Sequence, residues 1–241
     1  SNIIGINKRN QSHLVWPASP TYANPVYAHA DTRKCYVDFE TFSDVFTSFN
    51  DDDPTTTSAM PNRDRESTAR IFMIGVAFER DDDVAFEQFT CATNTHADER
   101  YIMQQFAHFV RMHGFDEIVY WSADLKFWNA ALARHPNSTA IHAMVTQTGA
   151  EIGWYDLAGA FTAKSEPVAI RGCYNTRLKS IAGAMFGHGM ISTRIDTDCA
   201  NGMDAMIEAH RYYATPSNRC LQARMADIGR YNRFDCVVLW D

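Results

Sequence analysis

The sequence predicts an α/β fold in which a mixed five-stranded sheet is flanked by helices. Five short segments with bulky apolar residues predict the strands, and stretches in which apolar residues recur at helical spacing predict the helices. The segments follow one another as three strands joined by hairpins and then as strand, helix, strand and helix. This order is expected for a mixed sheet with helices packed against it.

The strands are predicted in chain order as follows. Residues 34–40 form the first, and residues 71–78, a nearly continuous apolar run, form a buried second strand. Residues 80–83 turn the chain into a third strand at 84–89, so the second and third strands make a hairpin. The fourth and fifth strands are predicted at 117–121 and 152–157.

The helices are predicted from apolar spacing and from their end signals. The first runs to 113, because helical spacing is kept from about residue 97 until Gly114 stops it. The second covers 124–134 and ends before Pro136. Three later helices are predicted at about 177–186, 203–213 and 221–240.

The remaining segments set the expected organisation. Residues 1–33 contain three prolines and no sustained period, which predicts an irregular N-terminal arm packed on the domain. The polar stretch from 50 to about 67 predicts an exposed loop. Residues 34–241 are predicted to form one domain. Because no cap signal ends its last helix, we expect it to continue beyond residue 241, within a larger polypeptide.

Composition narrows the class of protein. The formal net charge of −7 argues against a protein that holds nucleic acid on a broad basic surface. It is compatible with an acidic site that divalent cations neutralise. No apolar stretch is long enough to cross a bilayer and no signal peptide begins the chain, so a cytoplasmic location is expected. The six cysteines are scattered without metal-ligand spacing, which favours reduced thiols.

Asp38 and Glu40 are the first candidate functional residues. They are separated by one residue on a predicted strand, so their side chains point to the same face. Burying two unpaired carboxylates would cost several kcal/mol. Mg²⁺ or Mn²⁺, which prefer carboxylate oxygens, would relieve that cost. A solvated strand end is the alternative.

Tyr231 and Asp235 form a second candidate pair. They lie four positions apart in a predicted helix, which places the phenol and the carboxylate on one face, one turn apart. Ile228 and Leu239 share much of that face, so the pair borders a buried stripe. An ordinary amphipathic helix with polar residues at its border is the alternative.

Together, the two pairs resemble the DEDD group of 3′–5′ exonucleases in its tyrosine-bearing form. The run 36–43, Tyr-Val-Asp-Phe-Glu-Thr-Phe-Ser, resembles the first exonuclease motif of phage and viral DNA polymerases and of predicted RNase H-like nucleases related to RecB-associated families. The runs 231–236 and 177–187 resemble the third motif of the latter group and the helix that precedes it. The resemblance covers about residues 34–241 and implies an RNase H-like fold.

The middle motif departs from the family pattern. The family usually has an Asn-x-x-Phe-Asp or similar acidic element after the fourth strand, whereas residues 119–129 read Val-Tyr-Trp-Ser-Ala-Asp-Leu-Lys-Phe-Trp-Asn. Asp124 is the best candidate for the third carboxylate, although Asp at this place also suits a helix N-cap. In a second alignment Trp128 takes the acidic position, which would put activity in doubt. Asp156 is the fallback ligand.

The resemblance implies a metal-dependent 3′–5′ exonuclease that hydrolyses phosphodiester bonds of single-stranded nucleic acid. Two Mg²⁺ or Mn²⁺ ions would lie about 3.5–4 Å apart around the scissile phosphate, held by Asp38, Glu40, Asp124 and Asp235. Tyr231 would orient or deprotonate the attacking water. The expected substrate is a single-stranded or frayed 3′ end of DNA, with RNA as an alternative, and a viral protein would work in the host-cell replication compartment.

Four further residues are candidates for contacts with that substrate. Thr41 and Phe42 follow the first motif, where the Phe42 ring would wedge against a base unless it belongs to the core. Arg177 and Lys179 precede the third motif and would reach phosphates, although a solvated helix face explains them equally well.

Three other functions compete with the exonuclease. The altered middle motif favours a catalytically silent RNase H-like scaffold or nucleic-acid clamp within a larger replication or repair protein. An endonuclease on the same fold would cut circular single strands. A plain structural protein with coincidental carboxylates would be indifferent to divalent cations.

Overall fold

The structure is a computed structural model that describes residues 5–7, 13–17, 32–42, 69–142, 152–163, 167–199 and 201–241. The predicted loop at 50–67 and most of the predicted arm at 1–33 lie outside these ranges. Within them, no helix is both long and apolar enough to cross a membrane. All six cysteines are free thiols, and five of them are buried.

The described chain forms seven strands and seven numbered helices. The strands are β1 (Val15–Trp16), β2 (Lys34–Phe42), β3 (Arg70–Arg80), β4 (Asp83–Thr90), β5 (Glu117–Tyr120), β6 (Gly153–Asp156) and β7 (Ala169–Ile170). The helices are α1 (His96–His113), α2 (Asp124–Arg134), α3 (Thr139–His142), α4 (Ala158–Thr162), α5 (Leu178–Gly187), α6 (Gly202–Ala214) and α7 (Arg219–Trp240).

The main sheet has five strands in the order β4-β3-β2-β5-β6. Strand β3 is antiparallel to both β2 and β4, whereas β5 is parallel to β2 and β6 is parallel to β5. The prediction of an α/β fold with a mixed five-stranded sheet is therefore confirmed, and this arrangement is consistent with an RNase H-like fold.

Helices cover both faces of this sheet. Phe39 of β2 contacts Phe106 of α1 and Trp128 of α2, so these two helices lie on the face to which Phe39 points. Asp38 is the next residue along the strand and points to the other face. There it meets Asn232 of α7. Apolar residues of the strands and helices form one large core cluster, which excludes water from the sheet.

The turn between β3 and β4 and the end of α1 lie where the sequence predicted them. Asp81 and Asp82 both have positive φ, 55° and 63°, as the two-residue hairpin between β3 and β4 requires. Gly114 ends α1 with φ 60°, a left-handed conformation that glycine adopts without strain.

Four short elements were not predicted: β1, β7, α3 and α4. Strands β1 and β7 pair with each other as a separate two-stranded sheet. Val15 of β1 packs against a small apolar cluster that includes Ile170 and Ile181. Strand β1 of the N-terminal segment therefore packs on the domain, although two-residue strands carry too little periodicity to be predicted from sequence.

Candidate active site

The two carboxylates of β2 lie on the sheet face that α7 covers. Asp38 and Glu40 both project to the side opposite Phe39. Glu40 has 5% of its surface exposed, and Asp38 is partly exposed. A β-bulge shifts the register with β3 between Glu40 and Thr41. Pairing resumes beyond it at Thr41 and Phe42. Because a bulge bends its strand, Asp38 and Glu40 lie just before the bend.

Helix α7 brings Tyr231 and Asp235 to the same place. Both side chains are buried, and both are electrostatically coupled to the β2 carboxylates. Burial raises the pKa of Glu40, and the charges of Asp38 and Asp235 raise it further. Burial likewise raises the pKa of Tyr231, with Asp235 and Glu40 adding to the effect.

Asp124, the first residue of α2, lies beside the strand of the first motif. Its carboxylate oxygens accept hydrogen bonds from the backbone N–H groups of Phe39 and Trp121, each at 3.4 Å. Asp124 is buried, with 5% of its surface exposed. Because Phe39 lies between Asp38 and Glu40 in sequence, this contact holds the third predicted carboxylate next to the first two. We call Asp38, Glu40, Asp124 and Asp235 the carboxylate cluster.

The ammonium of Lys179 balances part of this charge. Its Nζ lies 3.4 Å from Oδ2 of Asp235 and 3.1 Å from the centroid of the Tyr231 ring. Its charge lowers the pKa of Asp38 and of Asp235, against the larger effect of burial. Lys179 therefore belongs to the site and does not lie on a solvated helix face.

Despite this ammonium, every carboxyl of the cluster holds its proton more tightly than a free carboxyl. Burial raises the pKa of Asp38 to about 6 and, together with the charge of Asp38, raises the pKa of Asp235 to about 8. Burial and neighbouring carboxylates also raise the pKa of Glu40 and Asp124. Like charges that cannot separate are destabilising unless protons or cations neutralise them.

The cluster has unused ligand capacity. Oε1 of Glu40 and Oδ1 of Asp235 are buried oxygens without a hydrogen-bond partner. Such oxygens suit a hard divalent cation. In the described part of the chain, however, no three His, Cys, Asp or Glu side chains are grouped so as to hold a metal ion as they stand. The donor set therefore fits Mg²⁺ or Mn²⁺ by its chemistry, and binding would require the carboxylates to rotate towards a common ion.

The two alternatives for the middle motif lie elsewhere. Trp128 is fully buried in the core, where it contacts Phe39, Phe106 and Trp154. It is not at the position of a ligand. Asp156 ends β6, and its Oδ1 accepts hydrogen bonds from the backbone N–H groups of Ser122 and Ala158 at 2.8 and 3.0 Å. These bonds give Asp156 a role in shaping the loops after β5 and β6.

The other predicted substrate residues differ in accessibility. Phe42 is 1% exposed and packs against Phe72, with ring centroids 4.6 Å apart, so the structure does not present its ring to a base. Thr41 is half-buried just after the bulge. Arg177 is exposed at the N-terminus of α5, two residues before Lys179, and remains open to an anionic ligand.

Asn232 was missed by the sequence analysis. It is fully buried, and its Nδ2 donates hydrogen bonds to Oδ2 and to the backbone oxygen of Asp38 at 2.9 and 3.0 Å. The available signal was its place within the Tyr231–Asp235 turn, since a polar residue there is hard to explain in a buried helix.

Comparisons with known proteins give likenesses in structure but not in sequence. No family model matches the chain, and no curated protein matches it in sequence. Among solved structures, the chain is similar to the family B DNA polymerase from the hyperthermophilic archaeon Pyrobaculum calidifontis, with 13% sequence identity and a TM-score of 0.49. The match covers 86% of this chain and 24% of the polymerase chain, so it spans about a quarter of that protein. Likeness of this degree assigns no function.

Proposed function

We propose that this chain is a metal-dependent 3′–5′ exonuclease that hydrolyses phosphodiester bonds of single-stranded nucleic acid, with DNA as the preferred substrate. One observation carries the proposal. Four carboxyls with raised pKa values, three buried and one half-buried, come from β2, α2 and α7 and interact with one another around an ammonium. A purely structural core gains nothing from such an arrangement, because it concentrates like charges where water cannot screen them.

The proposed ligands of divalent cations are the members of the carboxylate cluster. The free oxygens of Glu40 and Asp235 are the first expected contacts. When bound, Mg²⁺ or Mn²⁺ ions would supply the charge that a phosphodiester needs, by lowering the pKa of an attacking water and stabilising the leaving 3′-oxygen. They would also explain how a protein with a net charge of −7 accepts a polyanion.

Tyr231 and Lys179 have distinct proposed roles. With its pKa raised by burial, the Tyr231 phenol keeps its proton at neutral pH, so it is suited to orient a water by hydrogen bonding and not to act as a base. Lys179 compensates the cluster before substrate binds. Its ammonium is then available to a phosphate oxygen once cations take over the carboxylates.

Direction and strand preference rest on the resemblance of the motifs at 36–43 and 231–236 to tyrosine-bearing DEDD exonucleases. Proofreading within a larger replication enzyme is the corresponding biological role. Among the described residues, none is dedicated to a 2′-hydroxyl, so a comparison of DNA and RNA oligonucleotides of the same sequence decides between the two substrates.

Shortening of a 5′-labelled single-stranded oligonucleotide in the presence of Mn²⁺ tests the proposal. The expected result is a ladder that shortens from the 3′ end and disappears with EDTA, together with no cleavage of a circular single strand. Asp38→Asn and Asp235→Asn should reduce the rate to that of the EDTA control. Asp82→Asn, in the exposed β3–β4 turn, should cleave like the wild type. Cleavage of the circle would instead indicate an endonuclease.

A silent nucleic-acid-binding scaffold is the second candidate. It is favoured by the finding that, among described residues, no three potential ligands are grouped to hold an ion as they stand. That function predicts binding of a single strand without release of nucleotides at any Mn²⁺ concentration, and binding unaffected by Asp38→Asn. Release of nucleotides by the wild type excludes it.

A further inference from the structure

Three residues that are neighbours across the sheet form a row beside the carboxylate cluster. Asp38 of β2 is paired with Gly75 of β3, and Gly75 is paired in turn with Gln88 of β4. Side chains in such a row project to the same face. Because the middle residue is glycine, the row has a notch between the side chains of Asp38 and Gln88.

Asn232 of α7 fills this notch. A Cβ atom on Gly75 would lie 2.2 Å from Oδ1 of Asn232, so only glycine leaves room for the amide. The side chain is fully buried and spans both neighbours in the row. Nδ2 donates to Oδ2 of Asp38 at 2.9 Å, and Oδ1 accepts from Nε2 of Gln88 at 3.0 Å.

These contacts fix the direction of the Asn232 amide. If it flipped, its oxygen would face the oxygens of Asp38, and its NH₂ group would face the NH₂ group of Gln88. Gln88 is itself held, because its Nε2 also donates to the backbone oxygen of Gly229 at 3.3 Å. The hydrogen bonds thus run in series: the backbone of α7 holds Gln88, Gln88 holds Asn232, and Asn232 restrains Oδ2 of Asp38.

We infer that Asn232 is the positioning residue that orients the Asp38 carboxylate towards a divalent cation, and that Gln88 acts on Asp38 only through Asn232. The inference rests on the proposed function, in which Asp38 is a metal ligand. Hydrogen-bond partners of a ligating carboxylate fix its orientation, and their loss typically weakens metal binding by about 10-fold to 100-fold.

Equilibrium Mn²⁺ binding, followed by the electron paramagnetic resonance signal of free Mn²⁺ without nucleic acid, tests the inference. Asn232→Leu keeps the size of the side chain and removes both donors, so it should raise the half-saturating Mn²⁺ concentration by about 10-fold to 100-fold. Gln88→Leu should raise it by a smaller factor. The double variant should match Asn232→Leu, because groups acting through one path are not additive.

A matched control separates positioning from stability. Asn218 caps the N-terminus of the same helix by accepting hydrogen bonds from the N–H groups of Cys220 and Leu221. Asn218→Ala should lower the melting temperature and leave the half-saturating Mn²⁺ concentration unchanged. If Asn232→Leu does not fold, the Mn²⁺ titration of Gln88→Leu tests the inference alone, because Gln88 is only half-buried.

The outcomes distinguish this inference from the function on which it rests. Folded Asn232→Leu and Gln88→Leu proteins that bind Mn²⁺ like the wild type would overturn the inference and leave the exonuclease in place. A wild type that binds Mn²⁺ but releases no nucleotides would overturn the exonuclease, while the titration still judges the inference. A wild type that binds no Mn²⁺ overturns both.

Discussion

Nζ of Lys179 lies 3.4 Å from Oδ2 of Asp235, whose other oxygen, Oδ1, has no hydrogen-bond partner. The same ammonium lies 3.1 Å from the centre of the Tyr231 ring. One side chain thus compensates a buried acid and covers the face of the neighbouring phenol. Because a divalent cation would compete with this ammonium for the same carboxylates, the two states of the site are expected to differ in how Lys179 is placed.

Lys179→Met tests that competition. Without divalent cations, the variant should have a lower melting temperature than the wild type at pH 8, because the carboxylate cluster loses its counter-charge. On addition of Mn²⁺, the increase in melting temperature should be larger than for the wild type. Lys126→Met, in an exposed position of α2, serves as the control and should change neither value. Equal Mn²⁺-induced shifts in the wild type and Lys179→Met would exclude competition.

The stability of the metal-free protein should fall as the pH rises. Folded Asp38 and Asp235 have pKa values of about 6 and about 8, whereas unfolded carboxyls release their protons near pH 4. Between about pH 4 and pH 8 the folded state therefore holds protons that the unfolded state has lost. Each such proton lowers the free energy of unfolding by about 1.4 kcal/mol per pH unit. Urea unfolding at several pH values in EDTA measures the slope, which should be smaller in Asp235→Asn and in saturating Mn²⁺.

Removing the charge of two buried glutamates, Glu99 and Glu40, should have opposite effects on the free energy of unfolding. Glu99 is fully buried and lies 2.6 Å from Nη2 of Arg134 and 2.9 Å from Nε2 of His135. Although burial alone would raise its pKa, hydrogen bonds from these partners hold the pKa of Glu99 well below its usual range. Glu99→Gln should therefore lower the free energy of unfolding by about 3–5 kcal/mol at pH 7.

Glu40→Gln is the matched comparison, because Glu40 is buried among carboxylates and not among cations. In EDTA at pH 8, its free energy of unfolding should equal or exceed that of the wild type. Urea unfolding of both variants makes the measurement. A large loss of stability in Glu40→Gln would mean that its carboxylate has a structural partner, contrary to the functional assignment.

Gly75→Ala should destabilise the protein strongly. The added Cβ would lie 2.2 Å from Oδ1 of Asn232 and 2.8 Å from Sγ of Cys236, both of which are fully buried. Overpacking of this kind costs roughly 1–3 kcal/mol. Gly183→Ala is the control, because a Cβ there meets nothing within 4 Å on an exposed position of α5. It should stabilise the helix by roughly 0.5–1 kcal/mol. Thermal melts of the two variants should therefore shift in opposite directions.

Much of the fold was predictable because its strands and long helices carry strong local signals. The apolar run at 71–78 lies within β3, and the helix predicted at 124–134 has those bounds in the structure. The Asp81–Asp82 turn follows from residues that tolerate positive φ. The spacing of Asp38 and Glu40 likewise predicted that they share a sheet face. These features depend on residues close together in sequence, so a single sequence is enough to predict them.

The rest depends on contacts between distant segments. Phe42 has the same local pattern whether it points to solvent or to the core, and the bulge after Glu40, with the packing of Phe72, decides for the core. Lys179 reads as a surface helix residue until α5 and α7 pack together. The contacts of Asn232 depend on the space above Gly75, which becomes apparent only when β3 and α7 pack together. Metal binding and the roles of the carboxylate cluster stay predictions.

Asn232 and Asp38 are 194 positions apart along the chain, and Asp235 follows Asn232 on the same helix. A ribosome must therefore complete α7 before Asp235 can join the other three carboxylates of the cluster. Strands β2 and β3 precede α7 in the chain, so Asp38 and Glu40 are synthesised well before the helix that covers them. Any fluctuation that lifts α7 from the sheet separates the cluster again. The complete cluster thus depends on the attachment of one helix.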